Sequence, residues 1–222
     1  MTRWLYASLV VTALALGASV YVSVFLYDRL PEQVPIHWNA AGEADGFVAK
    51  EHSFLTFYLI PLAMLGVAGL TLLLPWLSPK HFEIDRFRGT YGYIMFLVTA
   101  LLGYLHLAVL LGSAWGSPLD VTRLVLGGIF LFLALLGNVL GKVRRNFYVG
   151  VRTPWTLASD AVWEATHRLA AWLMVAGGLL GFVALLLGVP FWWCFILLMV
   201  FVLIPVPYSL ILYKRLQRQG KL

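Results

Sequence analysis

Six runs of this chain are each apolar for about 20 residues, the length needed to cross roughly 30 Å of hydrocarbon. They cover residues 4–27, 53–77, 91–115, 121–141, 169–188 and 191–213. In hydrocarbon the backbone must satisfy its own N–H and C=O groups within the segment, which makes such runs helices. The expected fold class is therefore an all-α integral membrane protein with six transmembrane helices. Composition agrees: the 222 residues are 61% apolar and 12% charged, against about 45–50% and 25% in soluble domains. No stretch reads as a separate soluble domain. The single cysteine, Cys194, sits inside an apolar run, which excludes an intrachain disulfide and Cys-based metal sites.

Charge sets the orientation. With the N-terminus inside, thirteen of the sixteen Lys and Arg fall on the cytoplasmic side and three (Arg29, Lys50 and Arg123) outside. The acids run the other way, six outside and four inside. The positive-inside rule then places both termini in the cytoplasm. The net charge of +6 and pI near 9.6 follow from this topology, so they carry no argument for direct nucleic-acid binding. The anionic inner leaflet is the expected companion of such a face. Trp4, Tyr27, Trp76, Tyr91, Trp115, Trp192 and Trp193 mark span ends as an aromatic belt. Arg3 and the small residues of ALGAS resemble a signal peptide, but the first run exceeds the usual h-region of about 7–15 residues. It is read as a retained helix.

Two polar segments interrupt the apolar pattern. The first, 28–52, contains LPEQVPIHWNAAGEADG. Pro31 and Pro35 favour extended backbone ahead of each ring, and Asn39, Gly42 and Asp45–Gly46 supply turn chemistry. His37, Glu43 and Asp45 offer one imidazole and two carboxylates, a thin set for a divalent cation with no paired-His motif behind it. The simpler reading is a hydrogen-bonded cap over the helix ends, anchored by His37; a partner contact is the other alternative.

The second segment, 142–168, reads KVRRNFYVGVRTPWTLASDAVWEATHR, far longer than a helix hairpin needs. Pro154 disfavours helix at Thr153, so RTPWT is expected to turn. Thr156 and Ser159 are candidate N-caps, and Asp160 puts negative charge on the helix N-terminus. Along that helix Glu164 and Arg168 are spaced for an i, i+4 pair, and Trp163 and His167 share an adjoining stripe. Arg144, Arg145 and Arg152 lack enough sequence-near acids. They are expected to reach lipid phosphates, pair with Glu83 and Asp85, or meet an anionic partner.

These two segments resemble a known family. The outer one is similar to the N-terminal domain of unknown function in SdpI-type proteins, and 137–168 is similar to the C-terminal half of the SdpI/YfhL family. The resemblance implies an N-terminal domain over 1–77 and a four-helix C-terminal domain over 78–222. It implies self-protection against a membrane-active toxic peptide, without catalysis or cofactor, at the cell membrane. It also implies a small cytoplasmic repressor as a partner of loop 142–168. The matching positions are His37, Asn39, Gly42 and Asp45 outside. Inside they are Gly137, Asn138, Gly141, Asn146, Gly150, Arg152, Thr153, Pro154, Trp155, Thr156, Ser159, Trp163, His167 and Arg168.

Within the spans, His106 is the one ionisable side chain at depth, about 13 Å from Trp115 at the helical rise. Pro61 frees the carbonyl of Phe57 near that depth, and a bond from His106 to it is expected. Pro205 and Pro207 predict a kink in the sixth span. Two other functions stay open at this point. One is a small transporter or channel, for which intramembrane charge and an inverted repeat are missing. The other is a membrane-embedded enzyme at His37, Glu43 and Asp45 or at Arg152, Trp163 and His167, for which a nucleophile–base pair is missing.

Overall fold

The computed structural model describes residues 1–79, 84–115 and 120–222, apart from the Trp115 side chain. Lys80, Glu83 and the Trp115 anchor therefore lie outside the described residues. Six helical segments among the described residues are long and apolar enough to cross a membrane: Thr2–Phe25, Lys50–Leu77, Ile84–Ala114, Val121–Leu140, Asp160–Leu186 and Phe191–Arg218. They correspond one to one with the six apolar runs. The chain packs as two compact units, one of residues 2–70 and 95–129, the other of Met1, 71–94 and 130–222.

In the first unit, helix α1 (Thr2–Val20) widens into a π-helical turn at Tyr21–Phe25. Ser23 gives its hydroxyl proton to the Ser19 carbonyl at 2.6 Å there, competing with the regular backbone ladder. The polar segment that follows folds as a β-hairpin, β1 (Gln33–Trp38) and β2 (Ala44–Ala49), before α2 (Ser53–Leu77). The pairing is antiparallel, Val34 opposite Val48 and Trp38 opposite Ala44, with a register irregularity after Pro35. A two-stranded ribbon is marginal alone in water, so its anchors matter. Val34 is fully buried in an apolar cluster with Val22, Leu26, Leu30, Phe57 and Leu110. Ser113 of α3 (Arg88–Trp115) donates to the Pro35 carbonyl at 2.6 Å, and Thr122 of α4 (Val121–Leu140) to the Asn39 carbonyl at 2.8 Å.

His106 lies in the same unit and is buried. Its expected direct bond to Phe57 is replaced by a relay: Ser19 Oγ donates to Phe57 O at 2.8 Å and sits 2.8 Å from His106 Nε2. The freed carbonyl is used, but a hydroxyl from α1 stands between. The physical reason is that Ser19 supplies both a donor and an acceptor at the one point where α2 lacks a backbone donor.

In the second unit, a five-residue helix α5 (Pro154–Ala158) precedes α6 (Asp160–Leu186). α6 packs against α4 through glycines: a Cβ on Gly178 would lie 2.6 Å from the Phe130 carbonyl, and one on Gly137 2.8 Å from the Ala171 carbonyl. Only hydrogen at these positions lets two backbones approach so closely. The sixth span is broken at Ile204 into α7 (Phe191–Leu203) and α8 (Pro205–Arg218). Pro205 opens α8, where its missing N–H costs least, as the sequence predicts.

Candidate functional site

The segment 142–168 is held by side chains that bond to its own backbone. Asn146 is fully buried and saturated: its Nδ2 donates to the carbonyls of Arg144 and Val149, and its Oδ1 accepts from the N–H of Tyr148 and Val149. Trp163 Nε1 donates to the Val143 carbonyl at 2.8 Å. His167 stacks on Trp163 with ring centroids 4.0 Å apart. Its Nε2 accepts from Val151 N–H at 3.0 Å, which leaves Nδ1 to donate to the Trp163 carbonyl at 2.8 Å. The network thereby assigns the neutral Nδ1–H tautomer. Gly150, at φ +119°, passes directly over this ring, and a Cβ there would lie inside contact distance of Nε2. That backbone conformation and that closeness both require glycine.

The next turn is capped by Thr153, not by Thr156. Thr153 is extended, and its Oγ1 accepts from Thr156 N–H at 3.2 Å while Thr156 Oγ1 accepts from Thr153 N–H at 2.9 Å. This is a reciprocal capping box, with Pro154 at the first helical position. RTPWT is thus an extended Thr153 leading directly into the short helix, with the expected turn replaced by the first helical residues Pro154–Thr156. Thr153 Oγ1 also lies 3.0 Å from Ser209 Oγ of α8, and Ser209 gives its own proton to Val206 O. Ser159 occupies the N-cap position of α6 without a side-chain cap bond.

Charges are paired differently from the sequence expectation. Glu164 binds Arg144 at 2.9 Å and not Arg168, and Asp160 binds Arg145 at 2.9 Å. The acids that neutralise the arginines come from the first turns of α6, brought back by the short helix α5. Asp85 pairs with Arg88. Arg152 donates to the Phe147 carbonyl.

The sequence-predicted residues therefore separate by exposure. Asn146, Thr153, Thr156, Trp163 and His167 are buried; Arg152, Pro154 and Arg168 are exposed; Trp155 and Ser159 are intermediate. Asn138 is exposed on α4 and joins none of these hydrogen bonds. In the hairpin, His37 and Asp45 form an exposed pair at 2.5 Å. Glu43 is turned away from them to Asn39, whose Oδ1 accepts from Ala41 N–H and Glu43 N–H. Among the described residues no group of three or more His, Cys, Asp or Glu is placed to hold a metal ion.

Sequence reasoning missed Ser19, Ser209 and Arg86. The first two are hydroxyls inside apolar runs, with no spacing signal to single them out. Arg86 joins Arg144, Arg145, Asp160, Trp163 and Glu164 around a cleft of about 280 Å³; no spacing rule connects it to them.

The fold and this loop define a multi-pass membrane protein whose polar parts are a strapped hairpin and a self-bonded loop running into the fifth span. Residues 142–209 match the SdpI/YfhL protein family and residues 14–65 match a domain of unknown function, DUF1648. It is similar to Immunity protein SdpI of Bacillus subtilis (strain 168), 29% identical over 169 residues, which cover 76% of this chain and 77% of that protein. No solved structure matches.

Proposed function

We propose that this chain protects the cell that makes it against a membrane-active toxic peptide, in a non-enzymatic role. The observation that supports it is the similarity to an immunity protein across 76% of the chain. The two matched regions contain the two polar segments, hairpin and loop. With the charge bias as guide, the hairpin faces outside and loop 142–168 faces the cytoplasm. The loop's buried residues (Asn146, Thr153, Thr156, Trp163 and His167) set its shape, while exposed Arg152, Pro154 and Arg168 form the face that meets a small cytoplasmic repressor. On the other side, His37, Asn39 and Asp45 present the hairpin to the peptide.

The test is recovery of bound peptide. The tagged chain is purified from cells exposed to candidate secreted peptides, and co-purifying species are identified by mass spectrometry. Enrichment of a membrane-active peptide over a control membrane protein supports the proposal. Recovery of no peptide across the panel, or of small solutes in its place, contradicts it.

A further inference from the structure

We infer that the cleft bounded by Arg86, Arg144 and Arg145 binds the phosphate of an acidic phospholipid headgroup. Among the described residues, three guanidiniums and two carboxylates surround it. Arg144 is engaged by Glu164 and Arg145 by Asp160, each at 2.9 Å. Arg145 also donates to the Leu157 carbonyl, so these two side chains are held at the rim. Arg86, exposed at the foot of α3, pairs with no acid among the described residues. Among the described residues the lining thus carries one more guanidinium than carboxylates, and that guanidinium, Arg86, is in no ion pair. A guanidinium presents a planar fork that fits phosphate oxygens two at a time.

Depth identifies the source of that phosphate. Glu164 lies five residues before the apolar run that starts at Leu169, about 8 Å along the helix. Arg86 lies within the first turn of the span Ile84–Ala114. Both walls of the cleft thus stand at the level where an apolar helix leaves hydrocarbon, the headgroup layer. Basic pockets between spans at that level bind acidic headgroups. This inference does not rest on the immunity reading.

The experiment uses the full chain, purified in detergent, delipidated, and titrated with phosphatidylglycerol or phosphatidylcholine, with bound lipid counted by native mass spectrometry. The expected result is several-fold more phosphatidylglycerol than phosphatidylcholine bound. Arg86→Gln removes that preference at unchanged melting temperature, and Lys214→Gln, a basic residue outside the cleft, keeps it. Equal binding of the two lipids, or equal loss in both variants, overturns the inference. A parallel arm adds inorganic phosphate alone. If phosphate raises the melting temperature in an Arg86-dependent way without any lipid preference, the ligand is a soluble anion and the lipid assignment fails.

Discussion

Ser19 Oγ and His106 Nε2 lie 2.8 Å apart, both fully enclosed by α1, α2 and α3. The hydroxyl has one proton, directed at the Phe57 carbonyl at 2.8 Å with the Ala15 carbonyl next at 3.1 Å, so it accepts from the imidazole. One serine thereby satisfies a histidine and a carbonyl that Pro61 leaves without a helical donor.

Ser19→Ala strands the Phe57 carbonyl and leaves His106 with only its bond to the Ala15 backbone, and is expected to lower stability by about 1–3 kcal/mol, the cost of a buried unpaired polar atom. Adding His106→Leu should recover part of that loss, because it removes the partner left short of a bond. Melting temperatures of purified single and double variants check this. A double variant less stable than the sum of the two single changes would contradict the relay.

The Trp163–His167 stack is predicted to set the shape of the loop from below. His167→Phe keeps an aromatic ring but leaves Val151 N–H without its acceptor, at a cost of about 1–3 kcal/mol. Its local effect should be faster tryptic cleavage at Arg152 while the spans stay intact. Cleavage at the wild-type rate would show that the histidine does not hold the loop.

Close approach of α4 and α6 makes Gly178 intolerant of a methyl group. Gly178→Ala places a carbon against the Phe130 carbonyl and Ala134, so an overpacking loss of about 1–3 kcal/mol is expected. Gly66 has nothing near its missing Cβ, and Gly66→Ala should be neutral or stabilising by up to about 1 kcal/mol. Thermal unfolding in detergent compares the two; equal effects would argue against the packing.

The hairpin should depend on Asn39 more than on His37. Asn39→Ala removes the acceptor of two exposed turn N–H groups, expected to cost about 0.5–1.5 kcal/mol for each bond. His37→Ala removes an exposed pair, worth about 0–1 kcal/mol. Hydrogen exchange at Ala41 and Glu43 reads the difference. Protection lost equally in both variants would contradict it.

The spans were legible because hydrocarbon length and backbone satisfaction leave few alternatives, and the break at Ile204 followed from Pro205. The hairpin was not: two prolines and a turn signal extended backbone, but the anchors of its strands, buried Val34 and the bonds from Ser113 and Thr122, come from the tertiary fold. In the loop, Thr153 stayed extended before Pro154 as expected and Ser159 took the N-cap position of α6, whereas the short helix opened by the reciprocal Thr153–Thr156 cap had no sequence signal of its own. Glu164 chose Arg144 over Arg168 since the tertiary fold offered a partner that local spacing could not display.

Survival of sensitive cells carrying this chain, under a panel of secreted membrane-active peptides, tests the central proposal most directly. The account predicts higher survival than with empty vector for at least one peptide, and reduced protection by Arg152→Ala at matched protein level. Survival equal to the vector across the whole panel would contradict it.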